Sequence, residues 1–386
     1  MTNQLGYYTV GTEIFYSKTR ALLRATQVNQ HPTWNFGDAV FSTLPWAQGT
    51  VDNIRNVYKA RAQQLRDKYD YLVLSYSGGS DSWTVLNSFL QQGIAPDELL
   101  IRWPIKSLQG KYSVSTNGSD TNILSEWDLV IKPDLDYLAV HHPNIKITVY
   151  DWSDDLDVEL IEDDWMGIND HLNPGVFRKY SAWVGTETEQ RMIDAGKTVA
   201  TIWGIDKPQI VYRDGDVHFY FLDKLANTKF VSGVQNRVAE MFYWTVDMPE
   251  IVHQQARLMY EYFVAHPEHL YLIDWNRRSA RTPEQKKLYD NIIKNVIYPD
   301  WNLAKFQANK SLSMVKSGID HWMFQHYNNY RYLQSWEHGM SSIKKAVDKK
   351  YYQFNAKGDF VGWTGFISPF YRLGPIHVDT LSSFVI

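Results

Sequence analysis

An α/β fold, with a parallel sheet covered by helices on both faces and a mainly helical C-terminal domain, is predicted by three features of the sequence. Short apolar runs rich in strand formers recur at 71–75, 98–103, 145–152 and 198–203, with helical material between them. The first run leads through Ser77-Gly78-Gly79-Ser80-Asp81-Ser82 directly into a helix-forming segment. From Val234 onward the texture changes to longer helical stretches interrupted by Pro249, Pro267, Pro283 and Pro299. Unbroken apolar runs, as opposed to alternating ones, belong to strands buried on both faces, and parallel sheets supply such strands.

The 386 residues exceed the roughly 250–300 at which a single core stops growing, so more than one unit is expected. Residues 1–50 scatter aromatics such as Tyr7, Phe15, Trp34, Phe41 and Trp46 among turn formers, and read as an N-terminal extension packed on the core. Residues 51–232 hold the α/β pattern, and residues 233–386 are assigned to the helical domain. Within the α/β part, Ile54 to Tyr69 has apolar residues at helical spacing and no Pro or Gly, which predicts a surface helix. After the strand Tyr71–Ser75 a helix is expected through about Gln92, stopped by Gly93, and another over Glu187–Ala195, stopped by Gly196. Asp214-Gly215, between the apolar runs Gln209–Arg213 and Asp216–Leu222, is a two-residue hairpin signal. Val238–Phe242 and Ile251–Val264 are read as helical.

Composition narrows the chemistry. With 44% hydrophobic and 21% charged residues the chain is globular in type, and its 15 Trp and 25 Tyr suit broad cores or stacking pockets. A formal charge of -4 gives no whole-chain attraction to nucleic acid. No cysteine is present, which excludes disulfides, Cys-ligated zinc, iron–sulfur clusters, thiol nucleophiles and enzyme-bound persulfides. The N-terminus lacks the basic and apolar regions of a signal peptide, and no apolar run reaches about 18 residues, so a cytoplasmic location without membrane insertion is expected, the host cytoplasm if the source is viral.

The chemistry is carried by the loop Ser77–Ser82. Gly78 and Gly79 let backbone approach a ligand closely, and the first N–H groups of the following helix have no partners within it. Those donors, the helix dipole and the hydroxyls of Ser77, Ser80 and Ser82 suit a pyrophosphate group. Asp81, a carboxylate beside phosphate, is suited to holding Mg²⁺ or orienting donors. The lysine of a G-x-x-x-x-G-K-[ST] loop, which serves terminal phosphoryl transfer, is missing.

The loop resembles the S-G-G-x-D-S PP-loop of the ATP pyrophosphatases and matches all five fixed positions. The segments Phe242-Tyr243-Trp244 and Tyr298-Pro299-Asp300-Trp301 look similar to bacteriophage-encoded members of that superfamily. The resemblance covers roughly residues 60–230 and implies the adenine nucleotide α-hydrolase-like fold, with ATP as cosubstrate, Mg²⁺ as cofactor, and release of AMP and pyrophosphate. Likeness to asparagine synthetases and to phosphoadenylylsulfate reductases is confined to the loop, and the absence of cysteine disfavours both a glutaminase and the cysteine-dependent reductases and thiolases. What remains is adenylation of a carboxylate, amide or nucleobase carbonyl oxygen, followed by an amine, ammonia, or sulfur brought by a separate donor protein.

Carried over residue by residue, the superfamily's later strand end falls on Trp203-Gly204-Ile205-Asp206-Lys207-Pro208, where α/β sheets hold ligands. Gly204 is expected to face the nucleotide, and Asp206 and Lys207 to act in catalysis with Asp81. The end of the second strand places Arg102 and Trp103 near adenine and ribose. Two other readings compete: the same chemistry on a nucleic-acid base, and a non-catalytic nucleotide-binding module that acts through its helical domain. The acidic residues of 151–170 are read as a solvated face or a site for a metal or an amine. His141, His142 and His171 lack zinc-site spacing. Arg277, Arg278, Arg281, Lys286 and Lys287 form a basic cluster able to meet phosphates.

Overall fold

The computed structural model describes residues 6–49, 53–102, 127–151, 185–204, 207, 209–223, 236–302, 344–354 and 360–376. In chain order its main elements are β1 (Tyr7–Val10), β2 (Glu13–Phe15), α1 (Lys18–Val28), β3 (Thr33–Asn35), α2 (Asp38–Phe41) and α3 (Ile54–Lys68). These are followed by β4 (Tyr71–Ser75), α4 (Ser80–Leu90), β5 (Glu98–Arg102), α5 (Lys132–His141), β6 (Lys146–Tyr150), α6 (Glu187–Asp194) and β7 (Val199–Trp203). The chain continues through β8 (Gln209–Arg213), β9 (Asp216–Tyr220), β10 (Arg237–Met241), α7 (Glu250–Ala265) and α8 (Pro283–Ile297). The last strands are β11 (Tyr352–Phe354), β12 (Phe360–Trp363) and β13 (Tyr371–Pro375).

Five strands form an all-parallel sheet in the order β10-β7-β4-β5-β6. Alternate residues of each strand point to opposite faces. On one face Leu72, Leu74, Leu99, Ile101, Ala200 and Ile202 join the main core with Leu65 of α3 and Val85, Leu86 and Phe89 of α4. On the other, Tyr71, Val73, Leu100 and Val199 pack with Met192 and Ile193 of α6. Burial on both faces is what the unbroken apolar runs required. The fold is therefore α/β, as the sequence predicts.

The expectation for Val238–Phe242 is corrected. Arg237–Met241 is a strand, the edge strand beside β7, with Met241 level with Trp203. A five-residue segment carries no decisive period, and the open edge of β7 decided between helix and strand. The sheet thus continues past residue 232, and the boundary expected there divides no layer. Beyond it the described residues contribute four strands (β10 to β13) as well as the helices α7 and α8 and short 3₁₀ turns.

Distant segments are joined by buried polar ties. Arg61 of α3 and Glu240 of β10 form a 2.8 Å ion pair with both side chains fully buried, and Arg61 also donates to the Met241 carbonyl. The Asp223 carboxylate accepts from the Tyr8 hydroxyl at 2.7 Å, the Lys18 ammonium at 2.8 Å and the Phe366 N–H at 2.8 Å. The hairpin β8–β9 turns on Asp214 and Gly215, both at positive φ, as the Asp-Gly signal requires. The hairpin is extended by β13, from the far end of the chain, which pairs antiparallel with β9. The N-terminal segment packs on this region, with Trp46 stacked against both Phe219 and Tyr371.

Candidate functional site

The crevice of an open α/β sheet lies where neighbouring strands lead to opposite sides. Here that point is between β4, whose chain proceeds to β5, and β7, whose neighbour on the far side is β10. The loop 77–82 leaves β4 at this place, and Gly204 and Lys207 follow β7 beside it.

Local chemistry explains the loop's shape. Gly78 sits at φ +69, and a Cβ there would stand 2.6 Å from Ile131 Cγ1, so both conformation and space demand glycine. Gly79 is the N-cap of α4 and offers no side chain to its first N–H groups, in contrast to the Ser, Thr and Asn caps of α1, α6 and α3. Ser82 braces the loop from inside: its hydroxyl donates to the Gly79 carbonyl at 3.2 Å and accepts from the Ser77 N–H at 3.2 Å. Ser77 is exposed, whereas Ser80 and Ser82 are buried.

Asp81 and Lys207 meet through a 2.8 Å ion pair, each side chain about a quarter exposed (24% and 23%). Burial acts to raise the Asp81 carboxyl, but the Lys207 ammonium, the Tyr298 hydroxyl and the charge of Lys294 together outweigh it and hold the group below the ordinary carboxylate value. The Tyr243 hydroxyl donates to the Asp81 carbonyl at 2.8 Å. Tyr298's buried hydroxyl faces Asp81 outside hydrogen-bond geometry. Burial first, and the Asp81 charge among the further causes, push the phenols of Tyr58, Tyr243 and Tyr298 upward, so all three stay protonated. Gly204 brings the end of β7 against α4: a Cβ would stand 2.9 Å from Val85 Cγ2 and 3.0 Å from the Asp81 carbonyl oxygen.

Arg102 ends β5 on the opposite face. Its guanidinium donates to Ser75 Oγ at 3.1 Å and lies 5.2 Å from the centre of the Trp203 ring. Burial, with Arg237 adding to it and the Glu189 charge opposing, pushes Arg102 down to about 10. Such a site favours an anion next to it.

Of the residues singled out from sequence, the structure thus brings Ser77–Ser82, Gly204 and Lys207 together and sets Arg102 at the neighbouring strand end. Asp206, Trp103 and His171 lie outside the described residues, as does the acidic run apart from Asp151. His141 and His142 enter no three-residue metal-binding group among the described residues. In the basic cluster, Arg281 covers the Tyr289 ring and Arg277 lies 3.6 Å from Asp274.

Tyr243, Tyr298 and Asp300 are the participants not anticipated. Asp300 accepts from Arg55 of α3 at 2.6 and 2.9 Å and from Asn87 of α4 at 2.7 Å, so it fixes the helix that carries Asp81. Their only signal in the sequence is the polar-aromatic character of 242–244 and 298–301, which has no period to interpret.

The fold and site define an α/β protein with a glycine loop opening a helix at the sheet's crevice. No family model, curated protein or solved structure matches the chain.

Proposed function

We propose that this chain is an ATP pyrophosphatase with an adenine nucleotide α-hydrolase-like arrangement of strand, PP-loop and helix. The observation that carries the reading is the uncapped N-terminus of α4 beside the Asp81–Lys207 pair at the β4–β7 crevice. In this reading the acceptor oxygen forms a bond to the α-phosphorus as the bond to pyrophosphate breaks. Pyrophosphate leaves into the donors of the loop, and an amine, ammonia or partner-supplied sulfur then displaces AMP from the acceptor. The chain's part is placement and charge stabilisation, with no enzyme nucleophile.

The donor set fits the groups this reading needs. Glycine at 78, where a Cβ would collide with Ile131, lets the loop keep its shape, and one carboxylate, Asp81, is enough to hold Mg²⁺ alongside phosphate oxygens. Bound there, the ion would neutralise charge on the phosphates. In this reading Lys207, paired with Asp81, supplies the cation that the loop itself lacks, and Arg102 offers a second from the other face. Arg277 and Arg281 already have partners within the chain, which favours a small acceptor over a polynucleotide. A cytoplasmic setting, where ATP is abundant, suits the reaction.

The test is pyrophosphate release from Mg-ATP against a panel of carboxylates, amines and nucleic acids. AMP and pyrophosphate in equal amounts are expected with the correct acceptor. ADP and phosphate would overturn the reading.

A further inference from the structure

We propose that His266, Glu268 and His269, at the C-terminal end of α7, form a binding site for one divalent ion of the zinc class, separate from the proposed nucleotide chemistry. Their ligand atoms all lie within 4.8 Å of one another, and among the described residues this is the only such group of three.

The backbone builds the cluster. His266 caps α7, its N–H bonded to the Tyr262 carbonyl, and Pro267 then starts a 3₁₀ turn over Pro267–Leu272. Side chains three apart eclipse in 3₁₀ geometry, and the His269 N–H donates to the His266 carbonyl at 3.0 Å, so the two imidazoles share a side. Their ring centroids are 5.8 Å apart. His266 Nδ1 and Glu268 Oε1 stand 3.1 Å apart, close to the spacing of about 3.3 Å between ligands of a tetrahedral ion with bonds near 2.0–2.1 Å.

An outer partner is also in place. The Tyr262 ring stacks on His269 with an interplanar angle of 5°, and its hydroxyl lies 2.8 Å from His269 Nδ1. When that hydroxyl accepts the Nδ1 proton, Nε2 presents its lone pair to a metal, the arrangement that metal-bound histidines commonly use. Two imidazoles and one carboxylate select zinc-class ions over Mg²⁺ or Ca²⁺, and leave a fourth position for water or an outside ligand.

Co²⁺ titration of the full chain tests this, read by calorimetry and by the visible absorption of tetrahedral cobalt. One Co²⁺ per chain is expected, displaced by Zn²⁺ and not by Mg²⁺. His266→Ala and His269→Ala should each abolish it. Glu268→Gln should weaken binding, and Tyr262→Phe should weaken it about tenfold or more, while the metal-free melting temperature stays at the wild-type value. His266 and Glu268 are exposed, so those two variants keep their fold and remain informative if His269→Ala does not. Unchanged Co²⁺ absorption and stoichiometry in His266→Ala and Glu268→Gln would overturn the site.

Discussion

Lys207 and Asp81 come from segments 126 residues apart, and the charge between them makes separate predictions for catalysis and for stability. As the α-phosphorus is attacked, negative charge grows on the departing pyrophosphate, so a cation there acts more on the transition state than on bound ATP. Lys207→Ala should lower turnover more than tenfold, about 1.4 kcal/mol or greater, while changing ATP affinity less. Wild-type turnover in that variant would assign the cation's role to Arg102, or to Arg178, which lies outside the described residues. Asp81→Ala should weaken Mg-ATP binding and be partly rescued by excess Mg²⁺. Because the folded-state value of Asp81 is depressed, its contribution to stability is present above the ordinary value of 3.8 and is lost as pH falls through the folded value. Urea midpoints of wild type and Asp81→Asn should therefore differ at neutral pH and converge only in strong acid. Convergence already near pH 5 would contradict the depressed value.

At the scale of elements, α4 is held at both ends, and each hold can be tested. At its start, Gly204→Ala would force β7 away from the Asp81 carbonyl and Val85, an overpacking cost of about 1–3 kcal/mol. The same displacement moves Lys207 relative to Asp81, so turnover should fall along with the denaturation midpoint. A variant that loses stability but keeps full turnover would separate Gly204 from the site. Further along α4, Asp300 joins Asn87 to Arg55 of α3, and Asp300→Ala should cost about 1.5–3 kcal/mol. Its one-third exposure favours the low end of that range. The loop, its strand and its helix were readable in the sequence because each depends on residues within a few positions of one another. The clamp at Asp300 was not, since nothing near it in sequence distinguishes it from a surface carboxylate.

For the whole molecule, the parallel sheet is complete only with residues on both sides of position 232. A chain ending there would lack β10, leave β7 with an open edge and strand the buried Arg61 without Glu240. It should show no cooperative thermal transition, and a sharp one would restore the boundary at 232. In the full chain, Glu240→Leu should destabilise by about 3–5 kcal/mol, because the Arg61 charge would remain buried and uncompensated. A loss of unfolding free energy under about 1 kcal/mol in urea would mean that the Gln64 side chain and the Met241 carbonyl suffice to hold the Arg61 guanidinium.

The sequence alone determined the α/β class, four of the five parallel strands, the hairpin turn and the glycine loop. These follow from apolar runs, helix stops and positive-φ residues, whose effects act within one turn or one strand. The group at 266–269 also lies within such a short span, although its ligands could not be seen to share a side until the 3₁₀ turn was known. Tertiary structure alone decided that Arg237–Met241 is a strand, that Glu240 has Arg61 as its partner, and that Tyr243 and Tyr298 surround Asp81. Each of those outcomes rests on residues brought together from far apart in the chain, where burial, and not local backbone preference, sets the energy of the contact.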